Sequence, residues 1–318
     1  LTNRFASDSR SLQLTCALIF LFAYTIYVAS ALVAGTSVFT TLFPTVSPKI
    51  AMFSFLLIIV AYTFFGGFAA VCWTDFFQGL LMMLALMLVP LVVCIGHSDL
   101  LDPTALTTVY EYTDAATGAV TQCAFGGGIF DASWQDIISG LGWGLGYFGM
   151  PHILLRFMAI EDEKKLVLSR RIASIWVVIA MAVAIFIGVV GLAMTKAGSM
   201  EALADSETVI VTIANILSQH GILTALLAGI ILAGILAATM STADSQLLTA
   251  ASAFSENLIK DFFGIKITEK QNIILARVTV VCVSLVSIFL ARDPNSSVFQ
   301  IVSFAWAGFG GAFGAVML

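Results

Sequence analysis

Long apolar runs, each bounded by short polar stretches, set the pattern of this chain. Eight runs stand out, near 12–43, 51–70, 74–96, 134–158, 172–195, 221–258, 275–291 and 297–318. A helix needs about 20 mostly apolar residues to cross a bilayer, and each run meets or approaches that length. The first and sixth are longer than one crossing and are expected to tilt or to extend past the membrane. Barrel strands alternate over about ten residues and lack continuous apolar runs, so a β-barrel is excluded. The pattern predicts an all-α, polytopic membrane protein with eight spans.

The polar residues between the runs orient them. Lys and Arg gather on the cytoplasmic side of membrane proteins. Arg4 and Arg10 precede the first run. Arg156, Lys164, Lys165, Arg170 and Arg171 lie between the fourth and fifth, and Lys260, Lys266, Lys270 and Arg277 between the sixth and seventh. With eight spans these segments fall on one face and hold eleven of the fourteen basic residues. Lys49, Lys196 and Arg292 fall on the other. The start of the chain is therefore expected to be cytoplasmic. The segment 97–133 becomes an external loop with Asp99, Asp102, Glu111, Asp114 and Asp131, no Lys or Arg, and a turn at Gly126-Gly127-Gly128.

Composition agrees: 60% of residues are hydrophobic and 10% charged, against roughly 25% charged in a soluble domain. The net charge of −5 adds little, because its distribution is what counts here. Cys16, Cys72, Cys94 and Cys282 lie in apolar runs and Cys123 in the polar loop. They form neither a zinc spacing nor a disulfide pattern. No signal peptide is seen, and the chain begins at Leu1 and stops inside an apolar run, which reads as an interior piece of a longer protein.

Chemistry concentrates where polar residues enter the runs. Asp244 sits in Met240-Ser241-Thr242-Ala243-Asp244-Ser245-Gln246, deep in the sixth run. An ionisable side chain in a membrane span is a functional-site hypothesis by default, and hydroxyl, carboxylate and carbonyl oxygens together suit a hard cation. Ser241, Asp244 and Ser245 share a helix face, and Thr242 is offset by about 100°. Asp75 opens the third span, so topology puts both carboxylates in the cytoplasmic half. Asp75 could instead cap the start of its helix at the membrane surface, and Asp244 could reach cytoplasmic water near the end of its span. The fourth run has five glycines between Gly140 and Gly149, followed by Pro151, which predicts a broken helix. Broken helices near the midplane form solute sites in many transporters. Trp143, Tyr147 and Pro151, four apart, would supply one wall, while glycine packing between helices is the alternative. His152 reads as a packed, hydrogen-bonded residue. With no nucleotide-binding motif, secondary transport is favoured over pumping, and with no filter-like loop a channel is disfavoured.

The stretches GWGLGYFGMPHILLRFMA (142–159), GGFAAVCWTDFFQ (66–78), MSTADSQLL (240–248) and SFAWAGFGGAFG (303–314) resemble the sodium/solute symporter family, nearest its sodium/proline branch. Arg4-Phe5 through Ser9-Arg10 and the segment Tyr24 to Ser30 fit the same pattern. The resemblance implies a core of two inverted five-helix repeats. Residues 1–96 would be the last three helices of the first repeat, 97–133 the external loop, and 134–318 the second repeat, with the first two core helices missing. It implies sodium ligands at Ala238 (through its carbonyl), Ser241 and Thr242. A second cation position or exit path would involve Asp75, Asp244 and Ser245, and Trp143, Tyr147, Pro151 and Tyr27 would contact the solute. The implied activity is sodium-coupled import of a small amino acid, proline above all, by alternating access across the inner (plasma) membrane, with no enzymatic step and no nucleic-acid partner. Met150 stands where Gln is expected in that branch, which keeps another osmolyte or carboxylate open. A solute-sensing input module of a histidine kinase is the reading from another class.

Overall fold

The computed structural model describes residues 10–102, 104, 109–113, 120–124, 133–203, 205–291, 298–314 and 316. Its α-helices are α1 (Arg10–Leu42), α2 (Pro48–Leu91), α3 (Trp134–Phe148), α4 (Pro151–Met158), α5 (Leu166–Lys196), α6 (Val209–Ser218), α7 (Ile222–Ser252), α8 (Glu269–Leu290) and α9 (Val298–Phe309). π-helical turns prolong α2 through Gly96, α7 through Phe262 and α9 through Gly314. By length and composition, five stretches among the described residues are apolar enough to cross a membrane: Arg10–Leu42, Pro48–Gly96, Glu163–Lys196, Ile222–Phe262 and Glu269–Leu290. The second of these contains two of the expected spans. The expected fourth and eighth appear as shorter pieces, 15 and 8 residues in α3 and α4, and 12 residues in α9.

The chain divides into two compact units. The first comprises Leu1–Met82, Gly146–Ile160 and Gly234–Leu318, and the second Met83–Leu145 and Glu161–Ala233. In the first unit α1 is the central post. Tyr24, Val28 and Leu32, one turn apart, are fully buried, and α1 packs on α8, on α9 and on the π-helical end of α7. Phe55, Ile59, Met150, Leu247 and Phe309 belong to the same buried cluster. Gly35 lets α2 come close, since a Cβ there would lie 2.4 Å from the Phe55 ring.

Helix α2 is two arms joined at Gly67, whose φ of 62° and ψ of −165° are non-helical. That region is open essentially to glycine alone, and a side chain there costs about 1–3 kcal/mol. The reversal shows in the contacts. Tyr62, before the glycine, and Asp75, after it, both bond to one short stretch of α7, at Asp244 and Ser245 respectively. A straight helix would hold residues 62 and 75 about 20 Å apart along its axis.

The break between α3 and α4 falls at the end of the glycine-rich stretch expected to hold it. Helix α3 runs unbroken through Gly140, Gly142, Gly144 and Gly146, and the chain leaves helical geometry at Gly149 and Met150. Met150 is extended (φ −91°, ψ 103°) and Pro151 starts α4. A residue before proline is pushed out of the α region, whereas neighbouring helices can hold glycine in a helix despite its entropy cost. Two of these glycines serve close packing: a Cβ on Gly146 would lie 2.7 Å from the Trp306 ring, and one on Gly149 2.3 Å from the Phe309 carbonyl oxygen.

In the second unit α5 packs on α6, through residues such as Val190, Met194, Ile213 and Leu217. The Lys196 ammonium donates to the Thr104 carbonyl and hydroxyl, both at 3.1 Å, and lies 4.0 Å from Asp102. The segment expected as a loop carries an antiparallel hairpin, β1 (Val109–Thr113) with β2 (Val120–Ala124), in which Val109 pairs with Ala124 and Thr113 with Val120. Gly126-Gly127-Gly128, Asp114, Asp131, Arg292 and the stretch Arg4 to Ser9 lie outside the described residues.

Candidate functional site

The polar stretch of α7 presents two adjoining oxygen clusters. In the first, the Ser241 hydroxyl donates to the Ala238 carbonyl at 3.1 Å and the Thr242 hydroxyl donates to the same oxygen at 3.0 Å. Such bonds one turn back are the ordinary fate of hydroxyls in an apolar helix. Here two of them meet at a single carbonyl, which draws three oxygens together. Each hydroxyl keeps its lone pairs, so the group can present oxygen ligands to a hard cation.

The second cluster centres on Ser245, one turn further. Its hydroxyl oxygen lies 3.2 Å from Asp75 Oδ2, 3.2 Å from Asp244 Oδ1 and 2.9 Å from the Ser241 carbonyl. A hydroxyl has one hydrogen and can serve one of these acceptors at a time. Into the same oxygen Arg156 donates, at 2.6 Å, while its guanidinium also pairs with Asp75 Oδ2. The Tyr62 hydroxyl donates to Asp244 Oδ2 at 2.7 Å. Asp244 is fully buried. Asp75 Oδ1 is buried with no hydrogen-bond partner among the described residues. Arg156 thus pairs with the Asp75 carboxylate, while Asp244 is held by the hydroxyls of Tyr62 and Ser245. Burying charge is costly unless it is paired and hydrogen-bonded, and this arrangement leaves spare carboxylate oxygen for one more cation. Asp75, Asp244 and Ser245, separated in sequence by up to 170 residues, are indeed brought together.

Arg156 and Tyr62 were not anticipated. Arg156 reads from sequence as a marker of the cytoplasmic face, and the Asp75 carboxylate, which has no basic residue in its own span, finds its partner on α4 instead. Tyr62 carries no sequence signal, because an aromatic in an apolar run is ordinarily core. A cavity of about 410 Å³ opens beside the cluster, lined by Phe68, Val71, His152, Leu155, Arg156 and Ser245 among others.

The aromatic candidates form a separate chain of contacts. Trp306 of α9 donates its indole N–H to the Tyr27 hydroxyl at 3.1 Å. The Tyr147 ring meets Trp306 edge to face, with centroids 4.5 Å apart and planes at 85°. Tyr27 and Tyr147 therefore sit on either side of Trp306, a residue inside a quoted motif but given no role by sequence. Trp143, one turn earlier on α3, belongs to the second unit and is partly exposed. Pro151 is the first residue of α4, whose start is tied to α1: the Tyr24 hydroxyl receives the His152 backbone N–H at 3.1 Å and lies 3.1 Å from its Nδ1. His152 is accordingly a packed, bonded residue. Met150 is fully buried in the core cluster. Among the described residues no group of three or more His, Cys, Asp or Glu could hold a metal ion.

Known proteins share this architecture. The sodium/proline symporter of Escherichia coli K12 is 40% identical over all of this chain and 60% of its own length. An osmoregulated proline transporter of Bacillus subtilis 168 is 37% identical over 99% of the chain and 61% of its own length. A high-affinity proline transporter of the same organism is 38% identical over 100% and 63%. This chain spans about 60% of the length of these relatives. A solved sodium-coupled sialic acid symporter in a substrate-bound, outward-open state superposes with a TM-score of 0.67 over 96% of this chain and 62% of its own, at 17% identity, a likeness of fold. The Sodium:solute symporter family matches residues 1–318 without a gap at either end. The broken helix, the oxygen-lined α7 and the full-length match lead to one conclusion: this chain is a multi-pass membrane protein and belongs to the Sodium:solute symporter family.

Proposed function

We propose that this chain is the larger part of a sodium-coupled symporter that imports proline across the plasma membrane by alternating access. The observation that carries the reading is the likeness, at 37–40% identity over the chain, to relatives that are proline transporters. Residues 1–96 are the last three helices of a first five-helix repeat, and 134–318 are its inverted counterpart. The start of the chain faces the cytoplasm, and 97–133 faces outside. Contacts of Asp102 and Thr104 with Lys196 agree with the span order, because they put both segments on one face of the membrane.

Sodium is cargo. Ala238, Ser241 and Thr242 supply its α7 ligands, replacing water with a carbonyl and two hydroxyls. Asp75, Asp244 and Ser245 offer a second position on the way to the cytoplasm, with the neighbouring cavity as the path out. Each positive charge carried inward gains about 2.3 kcal/mol per 100 mV of membrane potential. Solute binds against Tyr27, Trp143, Tyr147 and Pro151, and Trp306 holds Tyr27 and Tyr147 in position. Met150 packs into the buried core cluster.

Trp143→Ala and Tyr147→Ala test the solute wall. Each is expected to raise the half-saturating proline concentration by about tenfold, the loss of roughly 1.4 kcal/mol of contact. The sodium requirement should move less. Kinetics of labelled-proline uptake in vesicles measure both quantities. Normal apparent affinity in both variants would reduce the glycine-rich segment to helix packing.

A further inference from the structure

The chain has three histidines, and the structure puts two of them in contact. His97 follows the π-helical turn at the end of α2, and His220 lies between α6 and α7. Their ring centroids are 4.9 Å apart with the planes inclined at 60°. Both belong to the second unit, and neither touches the oxygen clusters described above. Each ring has a fixed mount: the His97 backbone N–H donates to the Val93 carbonyl and that of His220 to the Leu217 carbonyl, both at 3.1 Å.

The His220 ring is also oriented. Its Nδ1 lies 2.9 Å from the Ile216 carbonyl oxygen. A carbonyl only accepts, so Nδ1 must carry the hydrogen, which leaves the Nε2 lone pair for another partner. Metal-binding histidines are typically held this way, with the second ring nitrogen fixed by a backbone carbonyl or carboxylate. His220 is exposed and His97 half-buried, and the His97 ring has no hydrogen-bond partner among the described residues.

The spacing discriminates further. Zinc bonds imidazole nitrogen at about 2.0–2.1 Å in tetrahedral geometry, which sets two rings sharing one ion roughly 5 Å apart at their centroids. The observed centroid separation of 4.9 Å falls at that spacing. Two imidazoles favour zinc, copper or nickel over magnesium or calcium, which prefer oxygen. We propose that His97 and His220 form a two-histidine site for a divalent transition metal, zinc in the first instance, with water completing the shell. A bound ion would pin the end of α2 to the start of α7. In the proposed orientation both rings face the outside, where the ion has direct access.

The test is zinc titration of the purified full-length protein, stripped with a chelator and read against a chromophoric competitor. Wild type is expected to bind one zinc per chain at this site. His97→Ala and His220→Ala should each weaken it by more than about tenfold, since loss of a direct ligand exceeds the effect typical of an outer-shell partner. Proline uptake in zinc-free buffer reports that each variant is folded, and His97→Asn and His220→Asn replace any variant that aggregates. No zinc binding by wild type, or an affinity that either substitution leaves unchanged, would overturn the proposal and leave the pair as two rings in packing contact.

Discussion

Ser241→Ala and Thr242→Ala are expected to raise the sodium concentration that half-activates proline uptake by about tenfold each, the equivalent of roughly 1.4 kcal/mol per lost ligand. Maximal uptake at saturating sodium should fall much less. Both hydroxyls converge on the Ala238 carbonyl, so each truncation removes one oxygen from a common focus. A structural explanation makes a different forecast. Deleting a hydroxyl that merely bonds its own helix costs about 0.5–1.5 kcal/mol of stability or less, and it would lower the amount of protein rather than its sodium affinity. Sodium-activation curves normalised to protein in the membrane separate the two. Unchanged half-activation in both variants would remove these residues from the sodium site.

Asp75→Asn is expected to slow transport or weaken sodium activation by about tenfold or more, a loss of at least 1.4 kcal/mol. Asn keeps the shape and most of the hydrogen bonding and caps a helix well, so a capping role forecasts a mild effect. The pairing with Arg156 adds a second way to fail, because neutralising Asp75 leaves a guanidinium with one partner fewer. The double variant Asp75→Asn with Arg156→Gln distinguishes these. If only the ion pair matters, removing both charges restores uptake, as expected for coupled residues. If the Asp75 carboxylate itself draws the cation, through the oxygen that has no hydrogen-bond partner among the described residues, the double variant stays impaired. The account predicts the second result.

Much of the fold was legible because apolar length is a direct record of the bilayer. The runs 12–43, 172–195 and 275–291 appear as α1, α5 and α8 with ends shifted by a few residues. The runs 51–70 and 74–96 were separable as two spans, but the structure places the break inside the first of them, at Gly67. The break before Pro151 was legible in kind but not to the residue, since counting glycines measures conformational freedom and not the packing that Trp306 and Phe309 impose on Gly146 and Gly149. Within the site, helix periodicity could group Ser241, Asp244 and Ser245 on one face, whereas Ala238 and Thr242 entered the sodium set only through the family resemblance. The meeting of Asp75, Arg156 and Ser245 depends on three helices, and no local pattern encodes it. A basic residue at the end of a span has the same surroundings in sequence whether it reaches water or pairs with a carboxylate, and so Arg156 was read only as an orientation marker. Trp306 shows the same limit, since its bond to Tyr27 spans 279 residues.

The central claim is coupling between sodium and proline, and the most direct measurement is uptake of labelled proline by the full-length protein in sealed vesicles. An inward sodium gradient should drive accumulation above the outside concentration. Replacing sodium with choline should abolish it, and an inside-negative potential should increase it. Accumulation that proceeds equally well without sodium, or proline binding with no accumulation under any gradient, would contradict the account.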